Sequence, residues 1–430
     1  MPAVALHSLW SATAPPGPPT TPLRGPASAQ VAIVGAGFTG LTAALHLAQA
    51  GRDVLVLESE DVGTRASGLN GGQVIAGVKH DPQVLEQLFA ADAAGRFIST
   101  IGAAPAVLFE LVDRLGIECD ARSSGWLQPA TSEGALRVLE RRVADWRARG
   151  AAVQMLDAAA TAHMTGSRIY RGGLFDSRGG SVQPLKYVRG LAGAAVRAGV
   201  RLCTRTAALR LTAAGNGYSI ETPAGSVRAG QVIVATNAYS GRLVPALRRS
   251  VVAVPSFQVA TGVLPESLRS LILPGGQAAS DTRRLLRYFR LDAGGRFVLG
   301  TRGTYAKSPS LHAVRHHYRA VREIYPELAD VSFEYHWGGM VAMTADHLPH
   351  LHELAPGLLA GLGYNGRGVA MATTMGRELA RRALGTPAGE LGVPVVPVKA
   401  VPFHAFSGLG VRATIQALRL VDGWSRLRGA

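Results

Sequence analysis

The sequence has little cysteine, few aromatic residues and no long apolar run. Cys119 and Cys203 are the only cysteines among 430 residues, so neither a disulfide framework nor a cysteine-based metal site is expected. No continuous apolar stretch reaches the about 18 residues that predict a membrane-spanning helix. The N-terminal residues also lack a basic region followed by an apolar segment, the pattern of a secretory signal. We therefore expect a cytoplasmic location.

Acidic residues are also scarce relative to basic ones. The chain has 45 lysines and arginines against 29 aspartates and glutamates, a formal net charge of +16. Such a balance can indicate a partner with many negative charges, such as nucleic acid or an anionic membrane. The arginines are instead scattered along the chain, and no aromatic residues interleave with a basic run. We expect no nucleic-acid partner and no membrane contact, and only a modest attraction of acidic substrates.

Residues 31–59, VAIVGAGFTGLTAALHLAQAGRDVLVLES, predict a strand, a glycine turn, a helix and a second strand. In the G-x-G-x-x-G spacing, Gly35 permits the tight turn, Gly37 lets backbone approach a pyrophosphate, and Gly40 lets helix and strand pack closely. Glu58 ends the second strand, near the spacing of about 20 residues expected for the acid that binds ribose hydroxyls. The acid disfavours a 2′-phosphate. The pattern predicts a dinucleotide site that does not take NADP.

Three further stretches carry a resemblance to a known family. They are ASGLNGGQV at 66–74, VIVATNA at 232–238 and GLGYNGRGVA at 361–370. The first resembles the flavin loop of the FAD-dependent amine and amino-acid oxidoreductases of the D-amino-acid oxidase superfamily. The second resembles the strand that closes their FAD domain, although Asn237 stands where glycine is commoner. Within the superfamily, residues 337–339 and 346–349 resemble the gamma-glutamylputrescine oxidase group.

The resemblance implies an α/β fold with two domains. One is a Rossmann-like FAD-binding domain of the glutathione-reductase type, and the other is an α+β substrate domain with an antiparallel sheet. We assign 31–85, 150–240 and 335–385 to the FAD-binding domain, and 86–149 and 241–334 to the substrate domain. Residues 1–30 are expected to form an extended arm on the surface, and 386–430 a tail that ends in a basic helix.

The resemblance also implies FAD as the cofactor and a set of residues that hold it. We expect non-covalent attachment, because there is no cysteine at 339–344 and no histidine at 67–73, where relatives attach the flavin. The predicted cofactor-binding residues are Gly35, Gly37, Phe38, Thr39, Gly40, Glu58, Ser59, Ser67, Gly68, Asn70, Gly71, Gly72, Thr236, Asn237, Gly363, Tyr364, Asn365, Gly366, Arg367, Gly368, Val369 and Ala370.

The implied reaction is oxidation of a C–N bond by hydride transfer to flavin N5. The imine product is then hydrolysed to an aldehyde plus an amine or ammonia. We predict Tyr288, Arg302 and Trp337 as catalytic residues, and Arg290 and His336 as substrate-binding residues. Tyr288 and Arg290 lie two apart on a predicted strand and so share one face. His336 and Trp337 have the alternative explanation of ordinary core packing.

The substrate and the electron acceptor stay open at this point. The leading hypothesis is an amine similar to gamma-glutamylputrescine. The alternative is an imino or amino acid, such as L-pipecolate, a proline-like compound or a D-amino acid. A third possibility is a flavin-binding electron-transfer subunit without its own substrate. Sarcosine oxidases carry two lysines at the positions where this chain has Ala370 or Met371 and Val298. The lysine missing at Val298 is the one that activates oxygen, so the oxidant can be oxygen or another electron acceptor. The sequence does not determine the oligomeric state.

Overall fold

The structure is a computed structural model that describes residues 6–303 and 311–404. Its strands are β1 (Ala27–Val34), β2 (Val54–Leu57), β3 (Gln73–Val74), β4 (Trp126–Ala130), β5 (Val153–Leu156), β6 (Gly172–Asp176), β7 (Gly180–Ser181), β8 (Arg201–Cys203), β9 (Arg210–Ala214), β10 (Gly217–Thr222), β11 (Gly225–Val234), β12 (Val252–Val263), β13 (Ala278–Ser280), β14 (Tyr288–Leu291), β15 (Arg296–Arg302), β16 (Phe333–Met343), β17 (His350–Ala355) and β18 (Leu358–Leu362).

The helices stand between these strands and cover the sheets. They are α1 (Leu9–Thr13), α2 (Phe38–Gln49), α3 (Ala66–Leu69), α4 (Pro82–Leu88), α5 (Ala91–Leu115), α6 (Glu133–Arg147), α7 (Ala158–Thr165), α8 (Pro184–Arg197), α9 (Pro245–Ser250), α10 (Glu266–Arg269), α11 (Leu311–Ile324) and α12 (Gly368–Ala383).

The first large sheet is built around β1, in the order β17-β18-β11-β1-β2-β8, with the β9–β10 hairpin extending from β11. The neighbours β8, β2, β1, β11 and β18 run parallel. All four residues of β2 and the last four of β1 are buried, as expected for parallel strands covered on both faces. Helices α2, α8 and α12 pack together on this sheet. This is the expected α/β arrangement, and it aligns the carboxyl ends of β1, β2 and β11 at one edge.

The second large sheet has the order β16-β12-β15-β14-β13-β4-β6-β5 and is mostly antiparallel. Its longest strand, β12, lies next to the edge strand β16 and pairs with both β15 and β16 over most of its length. Helix α11 covers one face, over a core that includes Phe289, Phe297 and Tyr325. On β15, Gly300 lies opposite Tyr288, whose ring occupies the space that a side chain at 300 would need. Because Gly300 has no side chain, the Tyr288 ring can lie against the backbone of β15.

The second sheet contains strands from segments that the sequence predicted to belong to the FAD-binding domain. Strands β5 and β6 lie in this sheet and pair with β4, although they fall within 150–240, which was assigned to the FAD-binding domain. Strand β16 lies in the same sheet, although most of it falls within 335–385. The physical reason is long-range strand pairing, which joins segments far apart in sequence and leaves no local pattern by which to assign them.

The N-terminal arm also differs from the prediction. Residues 9–13 form the short helix α1, in which Leu9 and Trp10 are completely buried, instead of lying extended on the surface. Ser8 begins the helix, and its hydroxyl accepts a hydrogen bond from the Trp10 N–H at 3.1 Å. The predicted basic helix of the tail, VRATIQALRLVDGWSRL at 411–427, lies outside the described residues.

Helix α5 is the one helix among the described residues that is long and apolar enough to cross a membrane, by length and composition alone. It packs against α4 and α12, and the core that it shares with them contains Phe97, Ile101 and Leu108. The core helix of a globular protein passes the same test, so this helix is weak support for a membrane span.

Candidate active site

A cavity of about 1230 Å³ lies between the two large sheets. It is larger than the roughly 300–1,000 Å³ of a typical ligand pocket. Its walls come from the carboxyl ends of β1, β2 and β11 on one side and from β12, β14, β15 and β16 on the other. The cavity therefore has room for a dinucleotide and a second small molecule.

The first glycine turn forms one wall of this cavity. Gly35 has a φ of 105°, which favours glycine, and its N–H donates to the Leu57 carbonyl at 2.8 Å. A Cβ on Gly37 would lie 2.8 Å from the Ser67 hydroxyl oxygen, which itself accepts the Phe38 N–H at 3.1 Å. The N-terminus of α2 thus faces the cavity with its backbone close, the arrangement that binds phosphate groups.

Glu58 lies beside this turn at the end of β2, as the sequence predicted. One carboxylate oxygen accepts the Ala36 N–H at 2.8 Å, and the other accepts the Glu60 N–H at 3.1 Å. An ionised carboxylate offers about four acceptor positions. Glu58, which lines the cavity, therefore keeps the capacity to accept hydrogen bonds from ribose hydroxyls.

The second glycine loop, residues 69–72, closes another side. The Asn70 side chain holds it, donating to the carbonyls of Ala66 and Ser67 at 3.0 and 2.9 Å and accepting the Gly72 N–H at 2.8 Å. Gly72 has a φ of 70°, and a Cβ there would overlap the Val182 carbonyl oxygen. At Gly71 and Gly72, therefore, only backbone without a side chain fits between the neighbouring residues and the cavity.

The third turn joins β18 to α12. The Gly363 N–H donates to the Asn237 side-chain oxygen at 2.9 Å, which ties this turn to the end of β11. The side-chain oxygen of Asn365 accepts the Thr344 N–H at 3.0 Å. Tyr364 shares a hydrogen bond of 2.5 Å with the Thr39 hydroxyl of α2. Helix α12 therefore begins at the cavity in a fixed position relative to the first glycine turn.

The lining fits the predicted cofactor, FAD, because three glycine-containing backbone turns meet around one long cavity. All the predicted cofactor-binding residues line it except Gly40, Gly68, Gly363 and Ala370. A Cβ on Gly40 or Gly68 would overlap a backbone carbonyl oxygen, and Ala370 is completely buried. These four residues lie in or beside the turns without lining the cavity themselves. The individual contacts of the other residues with FAD stay predictions.

Of the predicted catalytic and substrate-binding residues, Tyr288 and Arg302 line the cavity. The Tyr288 hydroxyl shares a hydrogen bond of 2.8 Å with the Ser256 hydroxyl. Burial raises the pKa of Tyr288 to about 12, so its phenol is neutral at pH 7 and can donate a proton in a hydrogen bond. Arg302 ends β15 and is partly buried.

Arg290, His336 and Trp337 lie outside the cavity lining. Arg290 Nε donates to the Gly71 carbonyl at 2.8 Å, and the Trp337 indole N–H donates to the Leu69 carbonyl at 3.1 Å. His336 is buried and shares a hydrogen bond of 2.6 Å with the Tyr318 hydroxyl. Arg290 shares its face of β14 with Tyr288, but its guanidinium reaches behind the glycine loop, so Arg290 and Trp337 act on the loop backbone.

Sequence reasoning missed Lys79 and Arg142, which line the cavity. Desolvation, followed by the charges of Arg367, Arg142 and Arg302, lowers the pKa of Lys79 to about 8, although the side chain is exposed to the open cavity. The Asp81 carboxylate pairs with Arg142 at 2.5 Å. Lys79 follows the glycine loop in a stretch without a motif, and Arg142 lies on α6, so only the fold brings these cations together. We call Lys79, Arg142, Arg302 and Arg367 the cationic cluster.

Comparison with known proteins gives matches over most of the chain. Residues 30–382, which include every residue that lines the cavity, match the model of the DAO family, FAD dependent oxidoreductase. The "Probable oxidoreductase OrdL" of Rhizobium meliloti is 33% identical over 98% of this chain and 97% of its own length. The gamma-glutamylputrescine oxidoreductase of Escherichia coli is 32% identical over 87% of this chain and 88% of its own. The crystal structure of glycine oxidase from Geobacillus kaustophilus has a TM-score of 0.72 at 22% identity, covering 84% of this chain and 96% of that one.

Proposed function

The chain belongs to the DAO family of FAD-dependent oxidoreductases, and we propose that it oxidises a C–N bond of an extended amine that also carries a carboxylate, as gamma-glutamylputrescine does. FAD, when bound, supplies the two-electron acceptor for this chemistry. The chain's own residues have to bind the substrate, orient the amine and keep its nitrogen neutral. The imine that results is hydrolysed to an aldehyde and an amine or ammonia.

The cationic cluster is the observation that carries this proposal. The four residues of the cluster all line the cavity, and the charges of its three arginines contribute to lowering the pKa of Lys79. Like charges held together in a partly buried site raise the free energy of the empty cavity, and an anion that binds there lowers it. A substrate carboxylate is the anion that suits planar guanidinium groups and an ammonium.

The same cluster favours the neutral form of the substrate amine. A substrate ammonium near Arg367, the member of the cluster at the third backbone turn, loses its proton more readily, because like charges disfavour the charged form. Only the neutral amine has the lone pair that C–N oxidation requires. The neutral Tyr288 phenol, fixed by Ser256, is the polar group of the cavity lining that we assign to orienting the amine.

The dimensions of the cavity favour an extended substrate. Beyond the three backbone turns, the lining continues along α6 through Ala135, Val138 and Leu139. This apolar wall suits a methylene chain that separates a carboxylate from the amine. The similarity to the E. coli gamma-glutamylputrescine oxidoreductase points to the same class of substrate.

A second candidate is oxidation of an imino or amino acid. Arg367 belongs both to the cationic cluster and to the third backbone turn, where it begins α12. A carboxylate bound by Arg367 would therefore lie close to the cofactor, which is the arrangement that a short substrate such as proline or L-pipecolate requires. The two candidates differ in the distance between the carboxylate and the oxidised carbon.

The test is anaerobic mixing of the purified yellow protein with a panel of amines, following loss of the visible flavin absorbance. The panel pairs gamma-glutamylputrescine with its decarboxylated analogue 4-aminobutyrylputrescine, and adds putrescine, L-proline, L-pipecolate, sarcosine and D-alanine. We expect the fastest bleaching with gamma-glutamylputrescine. Equal rates for the two members of the pair would contradict carboxylate recognition, and bleaching by proline or pipecolate alone would favour the second candidate. No bleaching by any compound would overturn the proposal.

The Lys79→Met variant tests the cluster directly. Loss of one charge-assisted hydrogen bond costs about 1.5–3 kcal/mol. We therefore expect the apparent Kd for gamma-glutamylputrescine to rise about 10- to 100-fold, with little change for the decarboxylated analogue. Lys399→Met is the matched control, since Lys399 is exposed and lies outside the cavity lining. Admitting air after reduction then measures reoxidation, and a slow rate would indicate a dehydrogenase.

A further inference from the structure

The carbonyl groups of the second glycine loop are all hydrogen-bonded within the protein. Each of the four consecutive carbonyls at 69–72 accepts a hydrogen bond, and every donor except Gln258 lies outside the cavity lining. Leu69 O accepts from Gln258 Nε2 at 2.5 Å and Trp337 Nε1 at 3.1 Å, Asn70 O from Trp10 Nε1 at 2.8 Å, Gly71 O from Arg290 Nε at 2.8 Å, and Gly72 O from Val182 N at 2.8 Å.

These bonds fix the direction of the amides on the other side of each peptide. In a planar trans peptide, the C=O of one residue and the N–H of the next point in opposite directions. Because the Asn70 carbonyl is held by Trp10, the Gly71 N–H points the other way, toward the cavity that Gly71 lines. A polar backbone group in such a position needs a hydrogen-bond partner, and the cofactor is the molecule that the three backbone turns enclose.

We propose that Trp10 is a positioning residue of the cofactor site: its indole N–H holds the Asn70 carbonyl so that the Gly71 N–H is presented to the flavin. The side chain that does this comes from helix α1, which precedes the region matched by the family model, residues 30–382. Helix α1 therefore contributes a positioning residue to the FAD site, although none of the residues of α1 lines the cavity.

The surroundings of Trp10 keep its indole in place. Trp10 is completely buried, the Arg290 guanidinium lies over its ring at 4.8 Å, and the Trp337 ring meets it edge-on at 5.5 Å. The Gln183 side chain donates to the Trp10 carbonyl at 3.0 Å and so holds the backbone of α1 as well. Arg290 and Trp337 also donate hydrogen bonds to the loop carbonyls directly, so they hold both the indole and the loop.

The experiment compares Trp10→Phe with Trp146→Phe in the full-length protein. Both changes shorten a buried tryptophan to phenylalanine, but Trp146 lies on α6 and is not one of the donors, named above, to the loop carbonyls at 69–72. The measurements are FAD affinity, the flavin reduction potential, the visible spectrum of the bound flavin and the unfolding temperature of the FAD-free protein.

With Trp10→Phe we expect FAD to bind about tenfold more weakly, the change that corresponds to about 1.4 kcal/mol. We also expect a more negative reduction potential, because an N–H donor toward the flavin favours its electron-rich reduced form, and an altered visible band. Trp146→Phe should leave all three unchanged. If Trp10→Phe fails to fold, Trp337→Phe, which removes one of two donors to Leu69, is expected to shift the same quantities less.

The inference is overturned if Trp10→Phe lowers the unfolding temperature while the Kd for FAD, the potential and the spectrum match those of the unmodified protein. It is equally overturned if Trp146→Phe produces the same potential shift, since the effect would then come from general loss of packing. Both outcomes are read from the cofactor itself and do not depend on which amine is the substrate.

Discussion

The Gly72→Ala variant should be far more damaging than Gly366→Ala, although both glycines line the cavity with a positive φ. Gly366 has a φ of 86° and no atom within 4 Å of a Cβ placed on it. Its replacement by alanine therefore adds only the cost of left-handed backbone, roughly 1–2 kcal/mol. At Gly72, φ is 70° and the Cβ would also overlap the Val182 carbonyl oxygen.

The additional cost at Gly72 follows from the bonds that must break to relieve the overlap. The Val182 carbonyl accepts Arg290 Nη2 at 2.9 Å, and the Val182 N–H donates to Gly72 O at 2.8 Å. Losing two such bonds at about 1 kcal/mol each adds about 2 kcal/mol. Gly72→Ala should therefore lose about 3–4 kcal/mol in total, a large part of the 5–15 kcal/mol that stabilises a typical protein.

Urea unfolding of the FAD-free proteins measures the two free energies of unfolding, and titration with FAD measures affinity. We expect Gly72→Ala to be about 2 kcal/mol less stable than Gly366→Ala, in line with the two lost hydrogen bonds, and to bind FAD more weakly. Equal stability of the two variants would refute the reasoning, because it would mean that the loop moves freely away from Val182.

Three further predictions concern the substrate and the cofactor. Lys79 is protonated below its pKa of about 8, so the Kd for a carboxylate-bearing substrate should rise as the pH increases from 7 to 9, and Lys79→Met should abolish that rise. Tyr288→Phe removes the hydroxyl bonded to Ser256, and we expect kcat/KM to fall about tenfold, as loss of one hydrogen bond of about 1.4 kcal/mol predicts, with less than a twofold change in FAD affinity. Acid precipitation should leave a colourless pellet and a yellow supernatant, because we propose non-covalent FAD; a yellow pellet would show a covalent bond.

The sequence determined the dinucleotide turn by itself, because every residue involved is local. Gly35, Gly37 and Gly40 are required by backbone geometry within one strand–turn–helix unit, and Glu58 follows at the end of the next strand. Their positions relative to one another are set by helix and strand dimensions alone, so the spacing was enough to predict them. The family of the chain was readable for the same reason, since its flavin motifs are short and contiguous.

Only the tertiary structure decided which charged and aromatic side chains reach the cavity. Tyr288 and Arg290 share a face of β14, yet the tyrosine lines the cavity while the arginine reaches behind the glycine loop to its carbonyl groups. Lys79 and Trp10 gave no signal in the sequence, because each acts through residues far away along the chain. Long-range strand pairing and helix packing bring such groups together, and a short sequence pattern cannot predict those contacts.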